Sequence, residues 1–304
     1  VSRLLSTSHG THAGAFAPGD WARFGSLALI WGSSFLLIAI GLDAFAPGLV
    51  TWGRVCSGAA VLASVPSARP PIAREDRVRL VAVSVLWVAI PFSLFPLAEE
   101  RVSSAIAGMM NGTTPIVTAV VATLLLRRLP GRLQLVGLAL GFVGVAAIAI
   151  PAAGEGSSEL LGVAMLGVAA SCYGIAINLV VPLQQRYGPL PVMARVLALA
   201  AILTAPLGLV GLASSTFAWS SFLAVLTLGA LGTGLAFVLM GNLVGRVGGP
   251  RASFVTYLVP VVALVLGVSF RGDEVAMISV FGVGLVITGA ILASRRETAS
   301  RPRS

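Results

Sequence analysis

Lysine is absent. The chain of 304 residues carries 20 basic side chains, all arginine, against 11 acids and two histidines. Charged residues make up 10% of it, where a soluble domain usually carries about 25%. So little charge cannot cover the surface of a soluble protein. The two cysteines, Cys56 and Cys172, sit in apolar segments with no CxxC spacing or histidine neighbour, so they read as packing residues, with neither a disulfide nor a metal site indicated. His9 and His12 fall in a polar N-terminal tail, where solvated side chains are expected rather than metal ligands. No nucleophile has a base within its pattern, which argues against an enzyme. The Gly-rich "GRVGG" lacks both the strand-loop-helix setting and the lysine of a phosphate loop, which excludes a self-contained ATP-driven pump. No cofactor is implied.

What is present is hydrocarbon. Hydrophobic residues reach 57% and the mean hydropathy is +0.98. Apolar stretches of about 20 residues recur, long enough as helices to cross ~30 Å of bilayer. They can be drawn over 24–42, 48–65, 79–98, 104–126, 133–151, 160–181, 190–212, 220–243, 252–270 and 275–294. The runs are continuously apolar and lack the inside/outside alternation of barrel strands. The expected fold is an all-α integral membrane protein with ten transmembrane helices. The net charge of +9 invites a nucleic-acid partner, but the arginines cluster between apolar segments, as orientation on a membrane requires. All except Arg54, Arg101 and Arg271 fall on or beside one side. The positive-inside rule makes that side cytoplasmic, puts both termini there, and predicts a multi-pass protein of the inner membrane. The expected partners are the lipid bilayer and a small-molecule substrate, not nucleic acid; no oligomeric state follows.

The chain is written twice. "LIWGSSFLLIAIGL" is echoed by "SCYGIAINLVVPL", and "TWGRVCSGAAVL" around Arg54 by "VMARVLALAAIL" around Arg195. "PFSLFPLAEERVSSAIAGMMNGTTPIV" aligns without gaps on "AFVLMGNLVGRVGGPRASFVTYLVPVV", setting Asn111 against Thr256 and Pro115 against Pro260. Five spans per copy is an odd number, so the second copy enters the membrane from the opposite side. The predicted plan is a tail over 1–23, repeats over 24–151 and 160–294, and a tail over 295–304. Two inverted five-helix repeats are the architecture of alternating-access carriers.

The sequence resembles the EamA-type family of the drug/metabolite transporter superfamily. The resemblance rests on "LALIWGSSF", the second-span Arg54, "SSAIAGMMNGTTPIVTAVVATLLL", and the matched endings "LVGLALGFVGVAAI" and "VFGVGLVITGAIL". It implies a transporter of small metabolites, with export of amino acids or related compounds as the leading expectation. A carrier of phosphorylated or nucleotide-linked sugars and a non-transporting sensor or scaffold are the alternatives. Members usually carry a glutamate after the fourth and ninth spans. The second copy has Asp273 and Glu274 there, expected at a loop or helix start, whereas the first has Arg128.

"MMNGTTPIVTAVV" would be a turn in a soluble protein; inside an apolar run it reads as a membrane helix weakened by Pro115. Ala107, Asn111, Thr114 and Thr118 then share a small, polar face, matched in the second copy by Ala252, Thr256, Val259 and Ala263. Asn111, Thr114 and Thr256 are candidate substrate contacts, the competing reading being hydrogen bonds between helices. Trp31, Ser34 and Tyr173 are further candidates, or ordinary packing residues. Asn178 and Asn242 are expensive in lipid and are expected to face the interior. Phe92, Phe95 and Pro96 are placed as an outer gate. Snorkelling is expected for Arg54 and Arg195 over capture of an anion. Glu99 and Glu100, at the outer end of the third span, read first as solvated loop carboxylates and stay reserve candidates for proton coupling. No Asp, Glu, His or Lys is expected within the spans, so transport is expected to run downhill.

Overall fold

With no water to bond the backbone, an apolar chain in a membrane satisfies its N–H and C=O groups within each segment, and helix is the outcome. The structure, a computed structural model, describes residues 17–126, 132–247, 252, 255–256 and 258–294, and these contain no strand. The helices are α1 (Pro18–Leu42), α2 (Pro47–Ala63), α3 (Arg77–Val83), α4 (Ile90–Glu99), α5 (Ser104–Asn111), α6 (Thr114–Leu126), α7 (Arg132–Glu155), α8 (Ser157–Tyr187) and α9 (Pro189–Ala213). They continue as α10 (Trp219–Gly229), α11 (Ala236–Val247), α12 (Val259–Leu266) and α13 (Met277–Ser294). A π-helical turn, Ser84–Ala89, joins α3 to α4; a second, Ala230–Leu235, joins α10 to α11. A third, Gly267–Arg271, ends α12. By length and composition, five segments are apolar enough to cross a membrane: Pro18–Leu42, Arg74–Glu99, Ser157–Tyr187, Pro189–Ala213 and Trp219–Val244. Shorter apolar helices accompany them. The polar tail containing His9 and His12, and the position of Arg128, lie outside the described residues.

The segment from Ser104 to Leu126 is helix on both sides of a break. Two residues, Gly112 and Thr113, form a turn between α5 and α6, their amides donating to Met109 and Met110 carbonyls at 3.1 and 3.0 Å. The expectation of a helix rather than a turn is thus corrected to a helix interrupted by one. Pro115 supplies the reason, because its nitrogen cannot donate to the Asn111 carbonyl.

Helices of hydrocarbon side chains gain little from mere contact in lipid, so association depends on close packing of small residues. Helices α7 and α13 illustrate this. A Cβ on Gly144 would stand 2.6 Å from the Gly282 carbonyl oxygen, and one on Gly289 would stand 2.5 Å from that of Gly137. Helix α2 packs on α9, α5 on α12, α4 on α8 and α1 on α10. The Trp52 indole seals the α2–α9 seam by donating to the Ala201 carbonyl at 3.1 Å.

Charges gather at the two ends. At the end carrying Asp20, the buried Asp20 carboxylate meets Arg246 at 2.9 Å, and Arg186 meets Glu75 and Asp76 at 2.6 and 2.8 Å. Arg195 donates to the Ala68 and Arg69 carbonyls at 2.9 and 2.8 Å. It therefore holds a loop rather than snorkelling freely. At the opposite end, Arg271 grips Asp43 through two bonds of 2.9 and 3.0 Å. Asp273 caps a helix there, but not the one that follows it. Its Oδ2 accepts from the Ser104 hydroxyl at 2.7 Å and the Ala105 amide at 2.9 Å, at the N-terminus of α5.

Candidate functional site

Two apolar clusters form the core, and Trp31 and Tyr173 pack against both. At this junction lies a cavity of about 60 Å³, room for on the order of four waters. Its wall is rich in aromatic rings, with Trp31, Phe35, Trp87, Phe92, Phe95 and Phe237 prominent. Phe237 gathers Trp87, Phe92 and Trp31 around it at centroid distances of 5.1, 6.0 and 6.3 Å. On the Asp43 side, Phe95 is wedged between Phe35 at 5.4 Å and Tyr173 at 5.9 Å. Phe92 and Phe95 thus stand in the cavity wall, whereas Pro96 does not line it.

Both π turns between long helices serve this wall. Trp87 belongs to the first. The second offers the Gly232 carbonyl, which accepts from the Trp31 indole at 3.2 Å, and Thr233. The Thr233 hydroxyl donates to the carbonyl of Leu228, five residues back, at 3.2 Å, and accepts from Arg54 Nε at 2.8 Å. A π turn shifts the helical bonding by one residue and so releases groups of this kind.

Arg54 is the cation of the site. It is 6% exposed, lines the cavity, and lays its guanidinium over the Phe92 ring, 3.7 Å from the centroid. Cation–π contact and the Thr233 bond hold the head in place. Pro96 contributes indirectly. It cannot donate to the Phe92 carbonyl, and the Thr51 hydroxyl from α2 takes that oxygen at 2.8 Å, fixing the ring-bearing residue beside Arg54. The snorkelling expected of Arg54 is therefore corrected: the side chain turns inward. Among the described residues it has no acidic partner within 4 Å.

Opposite the aromatics lies the polar stripe. Asn111, Thr114 and Thr256 line the cavity together with Ser34, whose hydroxyl donates to the Ile30 carbonyl at 3.0 Å. Asn111 Oδ1 and Thr114 Oγ1 are buried with no hydrogen-bond partner among the described residues. Such orphans cost about 1–3 kcal/mol each. Thr118 turns its hydroxyl back onto the Thr114 carbonyl at 2.8 Å.

Two expected site residues lie elsewhere. Asn178 is buried, but its amide bridges α8 to α6, donating to the Thr118 and Gly174 carbonyls at 3.2 and 2.9 Å. It sits one residue past the cavity-lining Ile177, turned about 100° round the helix. Asn242 overturns its expectation outright. It is exposed, and its amide donates to the Val238 carbonyl of its own helix at 3.0 Å. Two residues past Met240, which lines the cavity, it points to the far side of α11.

The largest departure is Glu99. Both its carboxyl oxygens are buried and lack a hydrogen-bond partner among the described residues. It is no solvated loop group, unlike its neighbour Glu100, which is exposed and pairs with Arg101 at 3.7 Å. Trp87 and Phe237 are site features that pattern reading passed over, while Arg54 and Glu99 were weighed there and ranked below their bland readings. The available signal was charge: an ionisable group within or ending an apolar run marks function unless paired.

No group of three or more His, Cys, Asp or Glu able to hold a metal occurs among the described residues. A larger hollow of about 360 Å³ opens between Phe45, Leu49, Phe217 and Phe222. Among the described residues no ionisable side chain lines it, and its Ser215 hydroxyl is already engaged by the Ala46 amide at 2.8 Å.

An apolar helical bundle enclosing a small cavity that, among the described residues, holds a buried arginine and unpaired polar groups is the build of a multi-pass membrane transporter. The chain belongs to the EamA-like transporter family, whose sequence profile matches residues 24–150 and 160–295. The inner membrane transporter YedA of Escherichia coli K12 is 26% identical over 285 residues, which cover 88% of each chain. A protein of Streptantibioticus cattleyicolor named "Probable terminal-alkyne amino-acid exporter" is also 26% identical, over 89% of this chain and 92% of that one. A solved crystal structure superposes with a TM-score of 0.61 at 20% identity, over 91% of this chain and 97% of the other, a likeness of fold.

Proposed function

We propose that this protein is an alternating-access exporter of amino acids or closely related carboxylates, built as two inverted five-helix repeats with ten crossings. The carrying observation is the buried Arg54, aimed into an aromatic cavity without an acidic partner. One fixed guanidinium suits one carboxylate, which it can engage by two parallel bonds. The aromatic wall suits the side chain of such a solute, and Asn111, Thr114 and Thr256 supply orienting polar contacts. Phosphorylated or nucleotide-linked sugars bring more negative charge than one arginine offsets. A cavity of about 60 Å³ is too small for an amino acid, so this is a contracted state that must widen to load.

Three observations support the duplicated, inverted plan. The family profile matches twice, at 24–150 and 160–295. The first two π turns begin at Ser84 and Ala230, close to the offset of the sequence echoes. Helix α5 packs on α12, its counterpart by those echoes. In this reading the arginine-rich Asp20 end is cytoplasmic and the Asp43 end faces outward. The exporter named in Streptantibioticus cattleyicolor supports the direction. Proteoliposomes preloaded with unlabelled amino acids should take up a labelled amino-acid mixture by counterflow. Vesicles without the protein, or with Arg54→Gln, should not. Equal uptake in all three ends the proposal.

A further inference from the structure

We propose that Glu99 and Arg54 form a clamp for the two charges of a zwitterionic amino acid, and that the substrate ammonium and a proton exclude one another at Glu99. Export is then coupled to proton entry. The inference rests on the preceding assignment of Arg54 to the substrate carboxylate.

Glu99 closes α4. It lies one helical turn beyond Phe95 and two beyond Phe92, on the face that lines the cavity. Its carboxyl is sequestered, with no partner for either oxygen among the described residues. A carboxyl so placed in a membrane protein marks a proton or ion pathway, and its counterpart has to be identified. The charges acting on it are Arg54 from α2, and Arg271 and Asp273 from the segment after α12. Helix α8 packs against α4 with Cys172 and Tyr173, while Glu100 and Arg101 follow on its own chain. Most of these are engaged. Arg271 is held by Asp43 through two bonds, Asp273 by Ser104 and Ala105, and Arg101 bonds the Leu97 carbonyl and Glu100. Arg54 alone of these cations lacks an acid, and Glu99 lacks a donor. They are not paired with each other, since no N–O approach falls within 4 Å.

A buried cation without an acid and a buried carboxyl without a donor, unpaired with each other, suit a molecule that carries both an anionic and a cationic group. Along α4, Phe95 comes between Phe92, whose ring carries the Arg54 guanidinium, and Glu99; its own ring is stacked on Tyr173 and edge-on to Phe35. As the cavity widens, displacement of the Phe95 ring joins Glu99 to the space lined by Arg54. The substrate carboxylate then bonds Arg54 and its ammonium bonds Glu99, which has released its proton to the loading side. On the opposite side a proton returns to Glu99, the ammonium leaves, and the empty carrier resets with Glu99 neutral. Each substrate exported thus carries one proton inward. This replaces the downhill transport expected when Glu99 was read as a loop residue.

The test uses the purified full chain in liposomes, with a labelled mixture of L-amino acids as probe. Acid-inside vesicles should accumulate label by up to about tenfold per pH unit, and a protonophore should abolish it. Glu99→Gln should still exchange label by counterflow, more weakly, while accumulating none under the same gradient; Glu99→Asp should restore accumulation. N-acetylated amino acids, which lack the ammonium, should compete at least tenfold less well. Wild-type counterflow that is indifferent to the pH gradient, or accumulation that persists in Glu99→Gln, overturns the clamp and leaves the exporter assignment standing. No counterflow by the wild type overturns both.

Discussion

Asn111 and Thr114 illustrate the residue scale. Each keeps a buried oxygen without a partner, at a cost of about 1–3 kcal/mol that packing does not return. Leucine at position 111 removes that cost and opens no void. Asn111→Leu should therefore leave the amount and thermal stability of inserted protein unchanged or slightly raised, while counterflow falls at least tenfold. Thr256→Val should act in the same direction. Normal transport by both variants makes the stripe a packing feature. Arg54→Lys is the sharper substitution. Lysine keeps the charge but loses the planar contact with Phe92 and the bond from Nε to Thr233. Transport should fall more than tenfold at constant expression, and full activity would mean that charge alone suffices.

Much of the polar stripe was legible in the sequence because Asn111, Thr114 and Thr118 share one helical face of an otherwise apolar run, though hydrogen bonding between helices accounted for them as readily. The aromatic half was not. Trp87 and Phe237 look like any lipid-facing aromatics in sequence, and only the three-dimensional approach of α4, α11 and α1 turns them inward. Arg54 was visible as a charge, but its direction was not. An arginine within reach of a helix end snorkels by default, and what draws this one inward is a ring held through the Pro96–Thr51 arrangement and a threonine in a π turn. Asn242 failed for the opposite reason. The cost of a polar group in lipid predicts burial, but a side-chain amide returned to its own helix carbonyl meets that cost locally.

At the scale of elements, the apolar runs were legible as helix and the helix irregularities were not. Apolar length fixes a helix through the backbone's need for internal bonds, but "SVLWVA" and "ALGTGL" carry no turn signal. Their π turns answer tertiary demands such as the Trp31 indole on Gly232. Glycine stripes are more dependable. Gly144 lies where a Cβ would meet the Gly282 carbonyl at 2.6 Å, whereas Gly284 faces open space with nothing within 4 Å. Gly144→Leu should drive α7 and α13 apart and lower both the thermal midpoint and the yield of folded protein. Gly284→Ala should be neutral or stabilising by up to about 1 kcal/mol, through reduced backbone entropy. Equal behaviour of the two in a thermal-shift measurement would show that the seam does not depend on close backbone approach.

For the whole molecule the decisive property is sidedness, and the inward turn of Arg54 alters its reckoning. Once Arg54 is counted within the cavity, the Asp43 end retains Arg101 and Arg271 among the described residues. Arg271 is matched by Asp43 at 2.9 Å, and Arg101 lies 3.7 Å from Glu100. At the Asp20 end Arg69 and Arg74 are exposed between α2 and α3 and Arg77 is exposed at the start of α3, with Arg23, Arg186, Arg195 and Arg246 beside them. Arginine near the span ends is what holds a segment on the cytoplasmic side whether or not an acid faces it, and the Asp20 end carries more of it. A reporter active only outside the cytoplasm should therefore give signal when fused at Ser157 or Ser215, which lie at the Asp43 end. It should stay silent at Ala73. The same rule makes a graded prediction: replacing Arg69, Arg74 and Arg77 together by Gln should raise the outside signal at Ala73 from background, by weakening the bias without altering an apolar stretch. A silent reporter at Ser157 and Ser215 with signal at Ala73 would invert the molecule, and with it the side from which Glu99 takes its proton.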